Sequence, residues 1–472
     1  MDNRHGANVQ ERATSISSPS VASVAIPFVI GAAPVQSATA LVAAGEPVLV
    51  RNWNDALAVL GYSDDWEKYN LCEFMFSHFR LFERSPVIFC NLLDIDKMSA
   101  TVAAADLTIS DNRAELPGEA ILDSLVVKAS ASGTTLVKGT DYETFFSNEV
   151  LVIELLSGGS HFGKGTANVE YKKVTPEAVT NNVVAAGLEN IERCLSTTGV
   201  VPDLICAPKY STDPTVAALM AAKCKINGLF GAKALVDLNT VGNSGAKAYQ
   251  EALVLKKSTN INDKNQIVCW PMLGNGGRVF HMSTQLAGVI AAVDTSNDGI
   301  PYESPSNKPY IADSIILADG TPITLTHPQA NIVESRGIVT ALRFINGLVC
   351  WGNYTACYPE NTDVKDFYIS INRMFDWVGN TVVRTHWRTL DRPMIPRIVD
   401  SIVDGTNIWL NGLTGGGYLL GARVVLDAEN THEQLQQGII RIRIFMTPPP
   451  PLKEINFLLE YDLSPFVAMA SS

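Results

Sequence analysis

Apolar and polar positions follow three regimes along this chain. From Ser20 to Met98 continuous apolar runs alternate with helical periodicity. "SVASVAIPFVIGAAP" (residues 20–34) is β-branched and apolar and stops at Gly31 and Pro34, which predicts a buried strand. "NWNDALAVLG" predicts a helix with Asn52 or Asn54 as N-cap and Gly61 as terminator. "LCEFMFSHFRLFE" predicts another helix, and "SPVIFCNLL" (residues 85–93) a central strand. From Ser99 to Thr175 the pattern changes to short alternating runs broken by Ser132-Gly133, Gly139-Thr140-Asp141, Ser147-Asn148 and Gly158-Gly159. Strands at regular spacing with turn residues between them predict a small inserted β-sandwich.

From Thr175 the first rhythm returns. "TPEAVTNNVVAAGLENIERCL" is amphipathic with Pro176 in its first turn, and reads as one helix. "PDLICAP" reads as a strand. "STDPTVAALMAAKCKINGLFG" reads as a helix with Asp213 as N-cap, Pro214 at the first position and Gly228 near the stop. "KALVDLN" and "QIVCWPML" read as further strands, and residues 294–309 as a polar loop. Strand–helix alternation of this kind implies a largely parallel sheet covered by helices. Two strong helices follow. One carries Phe367, Ile371, Met374, Phe375 and Val378 on one face; the other carries Ile398, Ile402 and Val403 and ends at Gly412. "GIIRIRIFM" alternates, with Ile440, Ile442 and Ile444 on one side and Arg441 and Arg443 on the other.

The two ends stand apart. Residues 1–19 are polar and read as an extended arm, within which Gly6–Ala13 has the pattern of one short strand. At the other end Pro448, Pro449, Pro450 and Pro451 precede a strand over Glu454–Glu460. A proline run is a stiff, extended connector and makes no tight hairpin. An apolar strand held off its own domain exposes an unpaired edge. Either another subunit's sheet takes it by strand addition, or it is an edge strand of its own sheet after a longer excursion. Periodicity leaves both open.

Composition then removes function classes. The 472 residues are 46% hydrophobic and 18% charged, enough for two to four packed domains and against disorder. A net charge of −12 with no basic stripe argues against nucleic acid as a partner. No uninterrupted apolar stretch reaches about 18 residues, and the first fifteen lack a signal-peptide layout, so a cytoplasmic protein without membrane insertion of its own is expected. The eight cysteines form no CxxC pair and sit in apolar runs, as buried reduced thiols do.

Candidate chemistry is weak. Gly158–Lys164 ("GGSHFGK") fits the first seven positions of a phosphate loop, but the eighth is Gly165 and a strand pattern follows where a helix is needed. A Gly-rich hairpin turn is the better reading. Asp294, Ser296, Asp298 and Gly299 resemble the start of a calcium loop, yet the twelfth position is Pro305. The seven histidines are scattered, without metal-ligand spacing, and no nucleophile elbow or dinucleotide fingerprint is present. No catalytic residue, metal or cofactor is assigned, and the expectation is that the chain is not an enzyme.

The series "GIVTALRFINGLVCWGNYTACYP", "DFYISINRMFDWVGNT", "IVDSIVDGTNIWLNGLTGGGYLLGARV" and "EINFLLEYD", with aromatics Trp351, Tyr358, Phe375, Trp377, Trp409 and Tyr461, resembles the contractile tail sheath proteins of bacteriophages and R-type pyocin-like injection devices. "PDLICAPKYSTDPTVAALMAAKCKINGLFGAKALVDL" is similar to that family's α/β domain. The N-terminal "HGANVQERATS" and "SVASVAIPFVIGAAP" look like its first strands. The resemblance implies α/β core domains (residues 20–98 and 176–345) with an inserted all-β, sandwich-like domain (99–175). It adds an N-terminal arm (1–19), a C-terminal sheath domain facing the tube (346–446) and a linker with a donated strand (447–472). It implies a structural subunit that stacks as hexameric rings around an inner tube and contracts to drive the tube through a cell envelope. The implied partners are copies of itself, the inner tail tube protein, and baseplate and terminator proteins. The implied location is a virion tail or tail-like particle assembled in the bacterial host cytoplasm. Strand exchange between subunits would use Val9, Gln10 and Glu11 at one end and Ile455, Asn456, Phe457, Leu458, Leu459 and Glu460 at the other. Pro19 with Ser15–Ser18, and Thr447 with Pro448–Pro451, would be the linkers. The alternative is another tail, baseplate or terminator protein with a related α/β core.

Overall fold

The computed structural model describes residues 19–147 and 149–462. An eight-stranded sheet forms its centre. Its strands are β1 (Pro27–Gly31), β2 (Pro47–Val50), β3 (Val87–Asn91), β10 (Leu204–Cys206), β13 (Lys233–Asp237), β14 (Gln266–Cys269), β18 (Ile338–Phe344) and β19 (Gly347–Trp351). The order is β19-β18-β14-β13-β10-β1-β3-β2. All neighbours run parallel except the outermost pairs, β2 with β3 and β18 with β19. Both faces of this sheet are covered, so its strands are continuous apolar runs rather than alternating ones. Phe28, Val29 and Ile30 are fully buried, each burial contributing about 1.5–3 kcal/mol.

Helices α1 (Trp53–Leu60), α2 (Asn70–Phe76), α3 (Asn181–Gly187), α4 (Cys194–Thr198), α5 (Pro214–Ala222), α6 (Tyr249–Ser258), α7 (Met282–Ser296) and α8 (His327–Glu334) surround it. Side chains set the starts. Asn52 accepts from Asp55 N at 2.9 Å, and Asp213 accepts from Thr215 N at 2.8 Å. Gly61 closes α1 at φ 68°, where a side chain would be strained.

Four expectations are corrected. The segment 176–195 is not one helix: Thr180 caps a new start at α3, and short 3-10 turns precede and follow it. Gly228 does not end α5, which stops at Ala222; it lies at φ 68° in the turn between β11 (Lys225–Ile226) and β12 (Phe230–Gly231). "QIVCWPML" divides at Trp270-Pro271, a proline being unable to donate to a continuing ladder. Its second half, β15 (Met272–Asn275), joins a separate sheet with β16 (Arg278–His281) and β17 (Ser314–Ile316). The polar loop starting at Asp294 begins later, because Asp294 belongs to α7 and is buried.

Residues 99–174 carry β4 (Ser99–Thr108), β5 (Arg113–Pro117), β6 (Val126–Lys128), β7 (Tyr142–Ser147), β8 (Val150–Leu155) and β9 (Thr166–Val174). They form two three-stranded sheets, β4-β9-β6 and β5-β8-β7, around a core of their own that includes Leu116, Tyr142, Leu151, Ile153 and Val169. Entry and exit are paired, Ser99 opposite Val174.

The boundary drawn at residues 345/346 moves: it falls in the turn of the β18–β19 hairpin, and β19 is an edge strand of the large sheet. Past it come α9 (Val364–Phe367), α10 (Ile369–His386), α11 (Pro396–Gly415), β20 (Gly421–Leu426), α12 (His432–Gln436) and β21 (Ile442–Thr447). The helix read through Phe367 breaks at Tyr368, and α11 runs to Gly415 rather than Gly412. Met374, Trp377, Leu410, Leu413 and Val424 form the core between α10, α11 and an antiparallel ribbon of β20 and β21.

Candidate functional site

Helix α10 joins this C-terminal unit to the sheet. Its Arg373, 4% exposed, donates to Asp294 Oδ1 at 3.0 Å and reaches Asp203 Oδ2 at 3.4 Å. Asp203 also accepts from Ala25 N (2.9 Å) and Ile26 N (2.7 Å), which fixes the approach to β1. Burial pushes both carboxyls above the usual carboxylate range, and the Arg373 charge opposes it. One turn on, Asp376 pairs with the buried Lys233, and Asn380 bonds both Gly231 N (2.8 Å) and Gly231 O (2.9 Å).

The N-terminal side of the chain meets the same joint. Ser20 N donates to Thr385 Oγ1 (3.0 Å), Ala22 N to Thr381 Oγ1 (3.1 Å), and Trp377 Nε1 to Ala22 O (3.2 Å). Pro19 lines a small cleft with Thr385, His386, Thr406 and Trp409 between α10 and α11. Val9, Gln10 and Glu11, the whole of Gly6–Ala13 and the linker positions Ser15–Ser18 lie outside the described residues.

The C-terminal ribbon has two unlike edges. Leu420 N donates to Thr447 O and Asp427 N to Arg441 O. Antiparallel pairing alternates, so odd-numbered residues of β21 turn their backbone groups towards β20, and Ile442, Ile444 and Met446 turn theirs outward. Val424 of β20 likewise faces outward, but there Asn407 of α11 takes both groups, donating to Val424 O at 2.9 Å and accepting from Val424 N at 2.7 Å. The edge of β20 is therefore capped at its middle, at Val424, and that of β21 is open among the described residues.

Thr447 is the last residue of β21, so the connector starts at Pro448 rather than Thr447. Pro448 is buried, Pro449 and Pro451 half-buried and Pro450 exposed. Ile455, Asn456, Phe457, Leu458, Leu459 and Glu460 carry no helix or strand assignment and are all exposed, Leu458 at 88% and Leu459 at 96%. Lys453, which periodicity did not single out, lies against Tyr354 and Glu334. Those partners are about a hundred positions upstream, and no local pattern encodes such a contact.

The weak chemical candidates have other occupations. The Gly158–Lys164 loop precedes β9, and its Ser160 N and Oγ both donate to Asp141 Oδ1 at 2.8 Å. Asp294 faces Arg373, and Asp298 accepts from Tyr418 OH at 3.1 Å. Among the described residues no group of three His, Cys, Asp or Glu is placed to hold a metal ion, and no helix is long and apolar enough to cross a membrane. All eight cysteines are buried and unpaired.

No protein-family model matches the chain. The tail sheath protein of Burkholderia phage BcepMu is 28% identical over 399 residues, covering 79% of this chain and 81% of that protein. The tail sheath protein of Escherichia phage P2 is 24% identical over 285 residues, 57% of this chain and 66% of its own length. Among solved structures, the contracted sheath complex of an extracellular contractile injection system (PVC) superposes with a TM-score of 0.57 at 14% identity, over 98% of this chain and 99% of that one. The contracted helical sheath of the anti-feeding prophage gives 0.56 at 14%, over 97% and 99%. The sheath tail protein of Desulfitobacterium hafniense gives 0.54 at 12%, over 93% and 100%. Its mixed α/β core and large mixed sheet match those of contractile sheath subunits, and over most of its length the chain is similar to tail sheath proteins, which supports a structural subunit of a contractile tail sheath.

Proposed function

We propose that the chain polymerises as stacked hexameric rings around an inner tube, and that neighbours are tied by exchanged terminal strands. The observation that carries this reading is the apolar run behind the prolines. Leu452, Ile455, Phe457, Leu458, Leu459 and Tyr461 are all at least 60% exposed, a row of side chains that a stable monomer has no reason to present to water. The acceptor on a neighbouring copy is the open edge of β21, with Asn407 directing the incoming strand away from β20. The N-terminal arm containing Val9, Gln10 and Glu11 would add to the same sheet. Backbone ladders of this kind hold while the domains at either end of their linkers rotate and slide, which is what contraction demands. Baseplate association is supported by the likeness to chains of the anti-feeding prophage baseplate, at a TM-score of 0.55. The tube and a terminator complete the proposed set of partners.

Deleting residues 454–472 tests the central claim. The truncated chain is expected to fold and remain monomeric. Rings or sheaths assembled from it would refute strand donation.

Two placements go with this reading. The 99–174 domain, with its separate core, projects outward from the sheath wall. The α10–α11 connection faces the tube: Arg384, Arg388, Arg392 and Arg397 stand against the single Asp391, beside the exposed Trp387 and Leu390. In a chain of net charge −12 this local basic, partly apolar surface suits an acidic partner. The second reading, a ring-forming baseplate or terminator component, predicts closed rings rather than long hollow cylinders in electron micrographs of the purified protein.

A further inference from the structure

Lys453 is the second residue after the proline run. Its Nζ donates to Tyr354 OH at 2.7 Å, stands 3.1 Å from Glu334 Oε1 and lies 4.1 Å from the centroid of the Tyr354 ring. Its receptor is built by other contacts. Tyr354 stacks on Tyr358 with centroids 4.0 Å apart and meets Phe367 edge-on at 5.5 Å. Glu334, 6% exposed, is the last residue of α8, where the helix dipole favours a cation, and its Oε1 accepts from Asn353 N (3.2 Å) and Nδ2 (3.1 Å). An aromatic face, a hydroxyl and a buried carboxylate thus converge on one ammonium, the arrangement in which cation–π and charged contacts are strongest. Burial works against that charge, and the Tyr354 hydrogen bond and Glu334 more than offset it. Between Leu452 and Glu460, Lys453 is the one side chain with a polar partner among the described residues. Leu452 before it is 80% exposed and Ile455 beyond it 60%.

We propose that Lys453 is a latch that fixes where the outgoing strand leaves its own subunit, with Tyr354 and Glu334 as its receptor. The inference rests on the strand-donation reading. Docked, the latch leaves one connector residue, Glu454, ahead of Ile455. Undocked, the connector runs from Pro448 to Glu454, about 20 Å at the rise of a proline-rich chain. Docking narrows the volume the strand searches and raises its effective concentration at the neighbour's sheet. Release supplies reach when subunits move apart. Lys453 is a positioning residue and makes no ladder contact itself.

The test is the critical concentration for polymerisation of the full chain, with the melting temperature of the dilute monomer alongside. K453M and E334Q are each expected to raise the critical concentration about three- to tenfold, the effect of losing one partly buried charged contact. The double variant should be no worse than either single one, because both break the same contact, and the monomer's melting temperature should hardly move. Additive effects, or a K453M threshold equal to that of the unaltered chain while the 454–472 deletion blocks assembly, would overturn the latch and leave strand donation standing. A deletion chain that polymerises normally would overturn both.

Discussion

Asn407 holds Val424 by both backbone groups, donating to its carbonyl and accepting from its amide. A helix side chain thereby occupies the one outward-facing position at the middle of β20, and among the described residues only β21 keeps that central position open.

Replacing Asn407 with Ala should therefore act twice. Two backbone groups lose their partner, at about 1–3 kcal/mol, which a lower monomer melting temperature reads directly. The second edge also opens, so strand addition loses direction. Irregular aggregates should appear in micrographs beside ordered cylinders. Unchanged stability together with uniform cylinders would contradict this role.

Arg373 carries the joint between α10 and the sheet. R373M leaves Asp294 and Asp203 buried without their cation, at about 3–5 kcal/mol. Asp203 also holds Ala25 N and Ile26 N, so amide exchange near β1 should accelerate along with that of α10. A melting temperature within a degree of the unaltered chain would show that the pair contributes little.

His78 sets an acid limit. It is stacked on Phe74 at 4.2 Å, neither ring nitrogen has a hydrogen-bond partner among the described residues, and burial pushes its pKa down to about 3. The unfolded chain takes up a proton near pH 6.5 and the folded chain does not, so the unfolded state binds more protons between about pH 3 and 6.5 and stability falls as pH drops through that window. The loss is bounded at about 5 kcal/mol. H78F keeps the ring stack and removes the titration. It should match or exceed the unaltered chain at pH 7 and unfold at lower pH in an acid titration; an identical acid midpoint would exclude His78 as a contributor.

The basic connection between α10 and α11 gives a partner test. R388E with R392E reverses charge at two exposed positions, so the fold should keep its stability to within about 0.5 kcal/mol. Co-assembly with the inner tube should weaken, and more so at low salt, where surface charges are least screened. Tube-loaded particles formed at the normal yield would place the tube contact elsewhere.

What the residues disclosed in advance follows from how local each signal is. Phe28 to Ile30 and Val87 to Cys90 are runs that only a two-sided burial explains, and the caps Asn52 and Asp213 act on amides two or three positions away. Those features stand where periodicity put them. Asp294 reads as surface by its polarity, yet it is buried against Arg373, a partner 79 positions downstream. The segment after Pro176 reads as one helix because periodicity does not report that Thr180 starts a new one. The exposed run Ile455–Glu460 was legible through the proline block. The Tyr354 and Glu334 receptor for Lys453 was not, since it is assembled from three separate elements.

The pairing of Ser99 with Val174 has a consequence for how this protein can change. Seventy-six residues leave and re-enter the core across one rung of a ladder, so the core meets them as if they were a tight turn. Lengthening, trimming or replacing the far turns, such as Ser132-Gly133 or Gly158–Gly165, adds little closure entropy to the rest. On the proposed outward placement of this domain, the outside of the particle is free to diversify, or to carry a grafted passenger, while the parts that must fit their own copies stay under constraint.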